Sequence, residues 1–219
     1  MLDQGGREKL GKVLELLAAE RASVSSVVDE RAWKVHVADS LTGLDVPELS
    51  TAQRIADVGA GAGFPGLALA VALPDAQVDL IESVGRKCAF MQRAIDEASI
   101  ANATVLNTRS EDLASGSGRE AYDIVTARAV GRLSTLAELA SPLLKPNGVL
   151  IAWKGKRDDE EEDQLNRASE SLAMRPESIL DVGDRAGSQH RHLHVIKKVG
   201  PTPPDLPRRA GIAKKRPKG

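Results

Sequence analysis

The chain has 219 residues, with 30 Lys and Arg against 31 Asp and Glu and a formal net charge of −1. That length fits one domain with a short appendage, the charge balance excludes a uniformly basic nucleic-acid coat, and the lone Cys88 excludes an internal disulfide and points to a reducing, cytoplasmic setting. The longest apolar run, Leu67–Leu73, is too short to span a membrane, residues 1–10 lack a signal-peptide core, and the aromatics (Trp33, Phe64, Phe90, Tyr122, Trp153) are too few for recognition by many stacked bases.

Residues 7–20 are predicted to form an amphipathic helix with Leu10, Val13, Leu14 and Leu17 on one face, and 28–43 a second helix with Trp33, Val37 and Leu41 inward. Residues 54–58 then read as a buried strand, 59–66 as a glycine-rich loop and 67–73 as a helix stopped by Pro74. Strands follow at 78–82, 104–106, 122–126 and 149–153. Helices are predicted between them at 86–98 and 133–144, with a surface loop at 115–118 and a turn at 146–148. The acidic run 158–163 reads as an exposed helix start favoured by the helix dipole, and two further strands are expected at 178–182 and 192–198.

Beyond Gly200 the sequence turns Pro-rich and then basic, with Arg208, Arg209, Lys214, Lys215, Arg216 and Lys218. Disorder is expected there, either as a solubilising tail or as an arm for RNA phosphates. The alternation predicts an α/β, Rossmann-like fold: a mostly parallel seven-stranded sheet with helices on both faces and a small N-terminal helical cap. The expected division is cap 1–50, core 51–199 and basic tail 200–219.

The first strand ends in Asp57-Val58-Gly59-Ala60-Gly61-Ala62-Gly63. Glycines there let the chain turn tightly and let a ligand approach at the carboxyl edge of the sheet. Gly61-x-Gly63-x-x-Gly66 also fits a dinucleotide fingerprint, with Glu82 at a suitable distance. Two features favour S-adenosylmethionine (SAM) instead. Asp57 precedes the first glycine by two, and Gly59 directly follows the strand, giving the D-x-G-x-G-x-G register. The sulfonium and ammonium of SAM also benefit from nearby acids that would repel a pyrophosphate. Glu82, ending the second strand, is placed to accept from both ribose hydroxyls, and Ser110-Glu111 follows the third strand at the adenine edge. Asp57 has a structural alternative as a cap for loop amides.

The runs DVGAGAGFPGLALAVALP, LIESVGRKCAFMQ, DIVTARAV and LLKPNGVLIAWKGK, with His36–Leu41 and Arg191-His192-Leu193, resemble the glucose-inhibited division protein B family. The resemblance spans roughly residues 31–198 and implies a class I SAM-dependent methyltransferase acting on guanine N7 of bacterial 16S rRNA. It implies cofactor contacts at Gly59, Phe64, Ser110-Glu111 and Arg128, with Glu82 on the ribose, and RNA contacts from Arg86, Arg109, Arg128 and Arg191. The chain departs from the family at 19–29, AERASVSSVVD, where a W-N-x-x-x-N-L-T stretch is usual.

Guanine N7 carries a lone pair and no proton, so direct in-line transfer needs no general base, and neither Cys88 nor a histidine is expected to be catalytic. Arg128, after the fourth strand, is the residue expected to address the acceptor, with an ion pair to Asp57 or Glu111 as its structural alternative. Arg86 at a helix start suits a phosphate partner, and Arg109 follows strand three. Lys154 and Lys156 either touch RNA or are solvated. His36 and Asp39 are expected to brace the cap. His190, His192 and His194 lack the companion acids or cysteines of a metal site, and no metal is expected. Phe64 and Trp153 are either stackers or core. The rival readings are a small-molecule SAM methyltransferase, a nicotinamide-dependent oxidoreductase and a non-catalytic ribosome-binding protein. The expected partner is 16S rRNA or an assembling small subunit, bound by a monomer.

Overall fold

A computed structural model describes residues 2–20, 24–183 and 190–219. The elements run α1 (Gln4–Ala19), a π-helical segment (Trp33–Ala38) continuing into α2 (Asp39–Leu41), β1 (Arg54–Val58), α3 (Gly66–Ala72), β2 (Gln77–Glu82), α4 (Gly85–Ala98) and β3 (Ala103–Asn107). They continue with α5 (Ser110–Ala114), β4 (Tyr122–Arg128), α6 (Leu133–Ala140), β5 (Leu144–Lys154), α7 (Asp159–Leu172), β6 (Met174–Asp181), β7 (His192–Lys198) and α8 (Ile212–Lys215). The strands form a seven-stranded sheet in the order β3-β2-β1-β4-β5-β7-β6, with β7 antiparallel to both neighbours.

Side chains alternate across the sheet because successive Cβ atoms in a strand point to opposite faces. Ile55, Val149, Ile151 and Trp153 join α1, α3 and α4 in one buried cluster, and Ala56, Leu150 and Ala152 join α6 and α7 in another. Helix α1 belongs to the first cluster. Asp3 caps it by accepting from the Gly6 amide at 2.7 Å, and Leu10, Val13 and Leu17, one face of the helix, are buried. Truncating one of these leucines to alanine is worth about 2–5 kcal/mol in such a site, so the cap is firmly attached.

Three predicted elements differ in detail. The helix expected at 28–43 is not one regular α-helix. Its backbone widens over Trp33–Ala38, and the Asp39 amide reaches the Lys34 carbonyl five residues back. The helix expected to reach 144 ends at Ala140, and the turn at 146–148 lies inside β5 as a bulge. Leu144 pairs with Tyr122 and Val149 with Ile124, so the intervening residues loop out, with Asn147 at φ 70°. Asp158 caps α7 by accepting from the Glu161 amide at 3.1 Å, and Glu161 in turn takes the Leu133 amide at 2.7 Å and Lys154 Nζ at 2.6 Å. Only part of the acidic run is therefore a solvated face.

The expectation of a disordered tail is overturned. Leu206 and Ala213 are buried, and Arg208 pairs with the buried Glu138. At its root, the buried Lys198 ammonium donates to Glu120 Oε1 at 2.8 Å, Thr202 Oγ1 at 2.6 Å and the Leu144 carbonyl at 2.7 Å. The Lys198 ammonium first, then the Thr202 hydroxyl and amide, which donate to Glu120 Oε1 at 2.7 and 2.8 Å, hold the Glu120 carboxyl down at a pKa of about 2. The prolines that suggested disorder also restrict the unfolded chain, so ordering the segment costs less entropy.

Candidate active site

The strand order reverses between β1 and β4, and at the carboxyl ends of β1 to β4 lies a cleft of about 670 Å³. Open α/β sheets bind ligands at this place, and the volume suits a cofactor-sized molecule. Gly59 sits at its floor with φ +68°, and a Cβ there would meet Val130 Cγ2 at 2.7 Å. A side chain would be strained at that φ and would fill the cleft wall.

The loop amides separate the two cofactor readings. Gly59 and Ala60 N–H both donate to the Ile81 carbonyl, at 2.9 and 3.2 Å, and Gly63 N–H donates to the Ala60 carbonyl at 2.8 Å. Gly61 N–H donates to Glu82 Oε2 at 3.2 Å, and Gly66 N–H to Asp57 Oδ2 at 2.9 Å. A pyrophosphate site needs such amides free and pointing at the ligand. Here they are engaged within the protein, two of them by carboxylates.

Glu82 lines the cleft. Its Oε1 accepts from the Val84 amide at 2.9 Å, and Lys87 Nζ lies 3.8 Å from Oε2. A carboxylate has about four acceptor positions, so capacity remains for ribose hydroxyls. Ser110 and Glu111 also line the cleft, joined by Ser110 Oγ donating to Glu111 Oε2 at 3.1 Å. The other oxygen, Oε1, accepts from the Gly211 amide at 2.7 Å. Arg109, exposed, stands on the same wall.

Other sequence candidates lie elsewhere. Asp57 has no exposed surface; besides the Gly66 amide it accepts from Thr126 Oγ1 at 2.9 Å. Burial pushes its carboxyl up to about 6. It braces β1 against β4 and α3 and does not face the cleft, which corrects its assignment as a cofactor contact. Phe64 is buried and stacks on His36, with ring centroids 5.0 Å apart, so it is core and not an adenine platform. Gly61 and Gly63 shape the loop but do not line the cleft. Trp153 is core too, its Nε1 donating to the Asp39 carbonyl at 2.9 Å.

Arg128 and Arg191 converge on one buried carboxylate. Arg128 NH1 donates to Asp39 Oδ2 at 2.8 Å and to the Val35 carbonyl at 2.9 Å, and its NH2 lies 3.3 Å from His36 Nδ1. Arg191 Nε lies 2.8 Å from Asp39 Oδ1 as an ion pair, though not at hydrogen-bonding angles. The acid expected to pair with Arg128 was Asp57 or Glu111; the partner is Asp39, from the cap. His36 Nε2 is 2.9 Å from the Val27 carbonyl and 3.1 Å from Ser25 Oγ, and burial lowers its pKa. His36 and Asp39 thus tie the cap to β4. The divergent stretch 19–29 supplies Ser25 and Val27 to this network; its residues 21–23 lie outside the described residues.

Arg86 is exposed at the start of α4 and has no ion pair among the described residues. Cys88 Sγ is 3.2 Å from the Glu82 carbonyl, and burial raises the thiol's pKa. Among the described residues no cluster of His, Cys, Asp or Glu has the makings of a metal site. The sequence did not single out Lys87 and Val130 on the cleft wall, nor Gly211, and it offered Lys214 and Lys215 only as part of a disordered tail or RNA arm, away from the cleft. The first two are adjacent to residues it did single out. The last three required knowing that the tail folds back.

A cleft at the reversal point, a carboxylate at the end of β2 and a loop whose glycine amides are engaged within the protein define a Rossmann-like methyltransferase that uses SAM. Solved structures agree on the fold: a SAM-dependent methyltransferase from Aquifex aeolicus matches with TM-score 0.56 at 18% identity, covering 78% of this chain and 94% of that one. A protein from Agrobacterium tumefaciens described as a predicted O-methyltransferase matches with TM-score 0.57 at 24% identity, over 75% of this chain and 80% of that one. The signature of the family described as GidB, rRNA small subunit methyltransferase G, matches residues 9–193, and the chain belongs to that family. The ribosomal RNA small subunit methyltransferase G of Roseiflexus castenholzii is 38% identical over 99% of this chain and 93% of its own length. That of Bacillus subtilis is 33% identical over 90% of this chain and 84% of its own. Membership sets aside the oxidoreductase and small-molecule readings.

Proposed function

We propose that this protein transfers a methyl group from SAM to N7 of a guanine in 16S rRNA, free or within an assembling small subunit, as a monomer in the cytoplasm. Family membership supports an rRNA substrate, and no helix among the described residues is long and apolar enough to cross a membrane. Bound SAM supplies an electrophilic methyl group. Glu82 would accept from the ribose hydroxyls, Ser110 and Glu111 would border the adenine, and Gly59 would leave room at the cleft floor. The observation that carries this reading is Glu82: a carboxylate at the cleft, held by two backbone amides and with acceptor capacity left over.

Guanine N7 has a lone pair on the groove edge of the base and no proton to lose, so no side chain need act as a base. Catalysis then rests on alignment of acceptor and donor. Arg128, first expected to touch the acceptor, is better assigned as a positioning residue that fixes the cap on β4 beside the cleft. Arg86 and Arg109, exposed and without ion partners among the described residues, are the better RNA contacts. Arg191 holds Asp39.

The test is transfer of tritiated methyl from SAM to undermethylated small subunits and to free small-subunit rRNA, followed by nucleoside analysis. N7-methylguanosine is the expected product. Label in cytosine, or only in tRNA, contradicts the proposal.

A further inference from the structure

The folded C-terminal segment is held by contacts on several sides. Arg208 lies against buried Glu138, Arg119 NH1 donates to the Leu206 carbonyl at 3.0 Å, and Thr135 Oγ1 donates to the Ala213 carbonyl at 3.3 Å. The Gly211 amide bonds Glu111 at 2.7 Å, so the segment forms a wall of the cofactor cleft itself.

Six basic residues lie on this strap; Arg209 and Arg216 are exposed and stand outside the cleft, and the other four divide into two pairs. Arg208 and Lys218 have ion partners within the chain, Glu138 and Asp205. Lys214 and Lys215 are exposed, line the cleft with Arg109, and have no ion pair among the described residues. Gathering unpaired cations at one mouth is unfavourable unless an anion arrives there. SAM brings two cationic groups and a single carboxylate, a poor match. An RNA strand brings a phosphate at every nucleotide.

We infer that this strap is part of the RNA-binding surface, with Lys214 and Lys215 taking phosphates of the substrate strand beside the cleft, together with Arg109. The inference rests on the rRNA reading above and adds where the strand lies: across the α5–α8 side of the cleft. It also gives the fold of the tail a purpose, since Arg208 and Gly211 fix where the two lysines stand.

The test compares the full-length chain with Lys214→Glu/Lys215→Glu and with the milder Lys214→Gln/Lys215→Gln. Affinity for a small-subunit rRNA fragment is measured by fluorescence anisotropy across a salt series, and SAM affinity by calorimetry. Charge reversal should weaken RNA binding roughly tenfold at moderate salt, and the neutral pair should make the salt dependence shallower by about 1–2 in log–log slope. Unfolding midpoints close to wild type report that both variants are folded, and any change in SAM affinity should be smaller than the loss of RNA affinity. RNA affinity and slope equal to wild type would overturn the inference, as would a loss confined to SAM. A wild-type chain that does not bind the rRNA overturns the functional reading and the inference together. Wild-type binding with unaltered variants overturns the inference alone.

Discussion

At the β4 end of the sheet's carboxyl edge, Arg128 and Arg191 both lie against Asp39; at the β2–β3 end, Arg86 and Arg109 are exposed and have no ion partner among the described residues. All four follow strand ends, open helices or sit in loops near the same edge. The first pair holds the N-terminal cap onto the core through one buried carboxylate. The second pair is left to meet something outside the chain. An arginine near a cleft is therefore a ligand contact only if no acid within the protein already claims it.

Removing Asp39 should break the first half of this contrast most severely. Asp39 is 1% exposed, and its loss leaves two guanidiniums facing each other beside the partly buried His36. Asp39→Ala should cost about 3–5 kcal/mol in urea unfolding. A loss below about 1 kcal/mol would mean that the arginines are solvated there.

Asp57 sharpens the contrast among acids. Asp57→Ala strands the Gly66 amide and should cost about 1–3 kcal/mol. Asp57→Asn keeps an acceptor for that amide but removes the ionisation. The native carboxyl titrates at about 6, above its ordinary value of 3.8, so the folded state holds the proton more tightly than the unfolded one. Its contribution to stability is full below about pH 4 and is lost as pH rises through about 6. Wild-type stability should therefore carry a downward component between these pH values that Asp57→Asn lacks. Identical pH profiles for the two proteins would contradict the assignment.

Arg86→Ala and Arg109→Ala should change stability by less than about 0.5 kcal/mol, since both side chains are exposed and neither has an ion partner among the described residues. Each should instead weaken rRNA binding and lower its salt slope by about 1. A drop in unfolding midpoint with unchanged RNA binding would invert the comparison. The smallest effect is expected at Cys88: Cys88→Ala should retain methyl transfer, because the buried thiol lies against the Glu82 carbonyl and does not line the cleft.

Much of the fold was legible because the strands carry their signal locally. Residues 54–58, 78–82 and 149–153 are apolar enough to be buried on both faces, and Gly59 and Pro74 punctuate them. That Glu82, Ser110 and Glu111 would line the cleft was legible for the same reason, each lying at or just past a strand end on the open side. What was not legible depends on partners distant in sequence. Asp57 turns inward because Thr126 lies on the adjacent strand, and Phe64 is core because His36 stacks on it from the cap. The tail's order depends on Glu138 and Glu111, acids that nothing in the tail's composition reveals.

The central claim is that the cleft between β1 and β4 holds SAM by means of Glu82. Calorimetric titration of SAM into wild type and Glu82→Gln tests it most directly. Wild type should bind one SAM and no NADH, and the variant should stay folded but bind roughly tenfold or more weakly, with a melting temperature lowered by the one backbone amide that the Gln nitrogen leaves without an acceptor. Equal SAM affinity in the two proteins, or NADH taken up in place of SAM, would contradict the account.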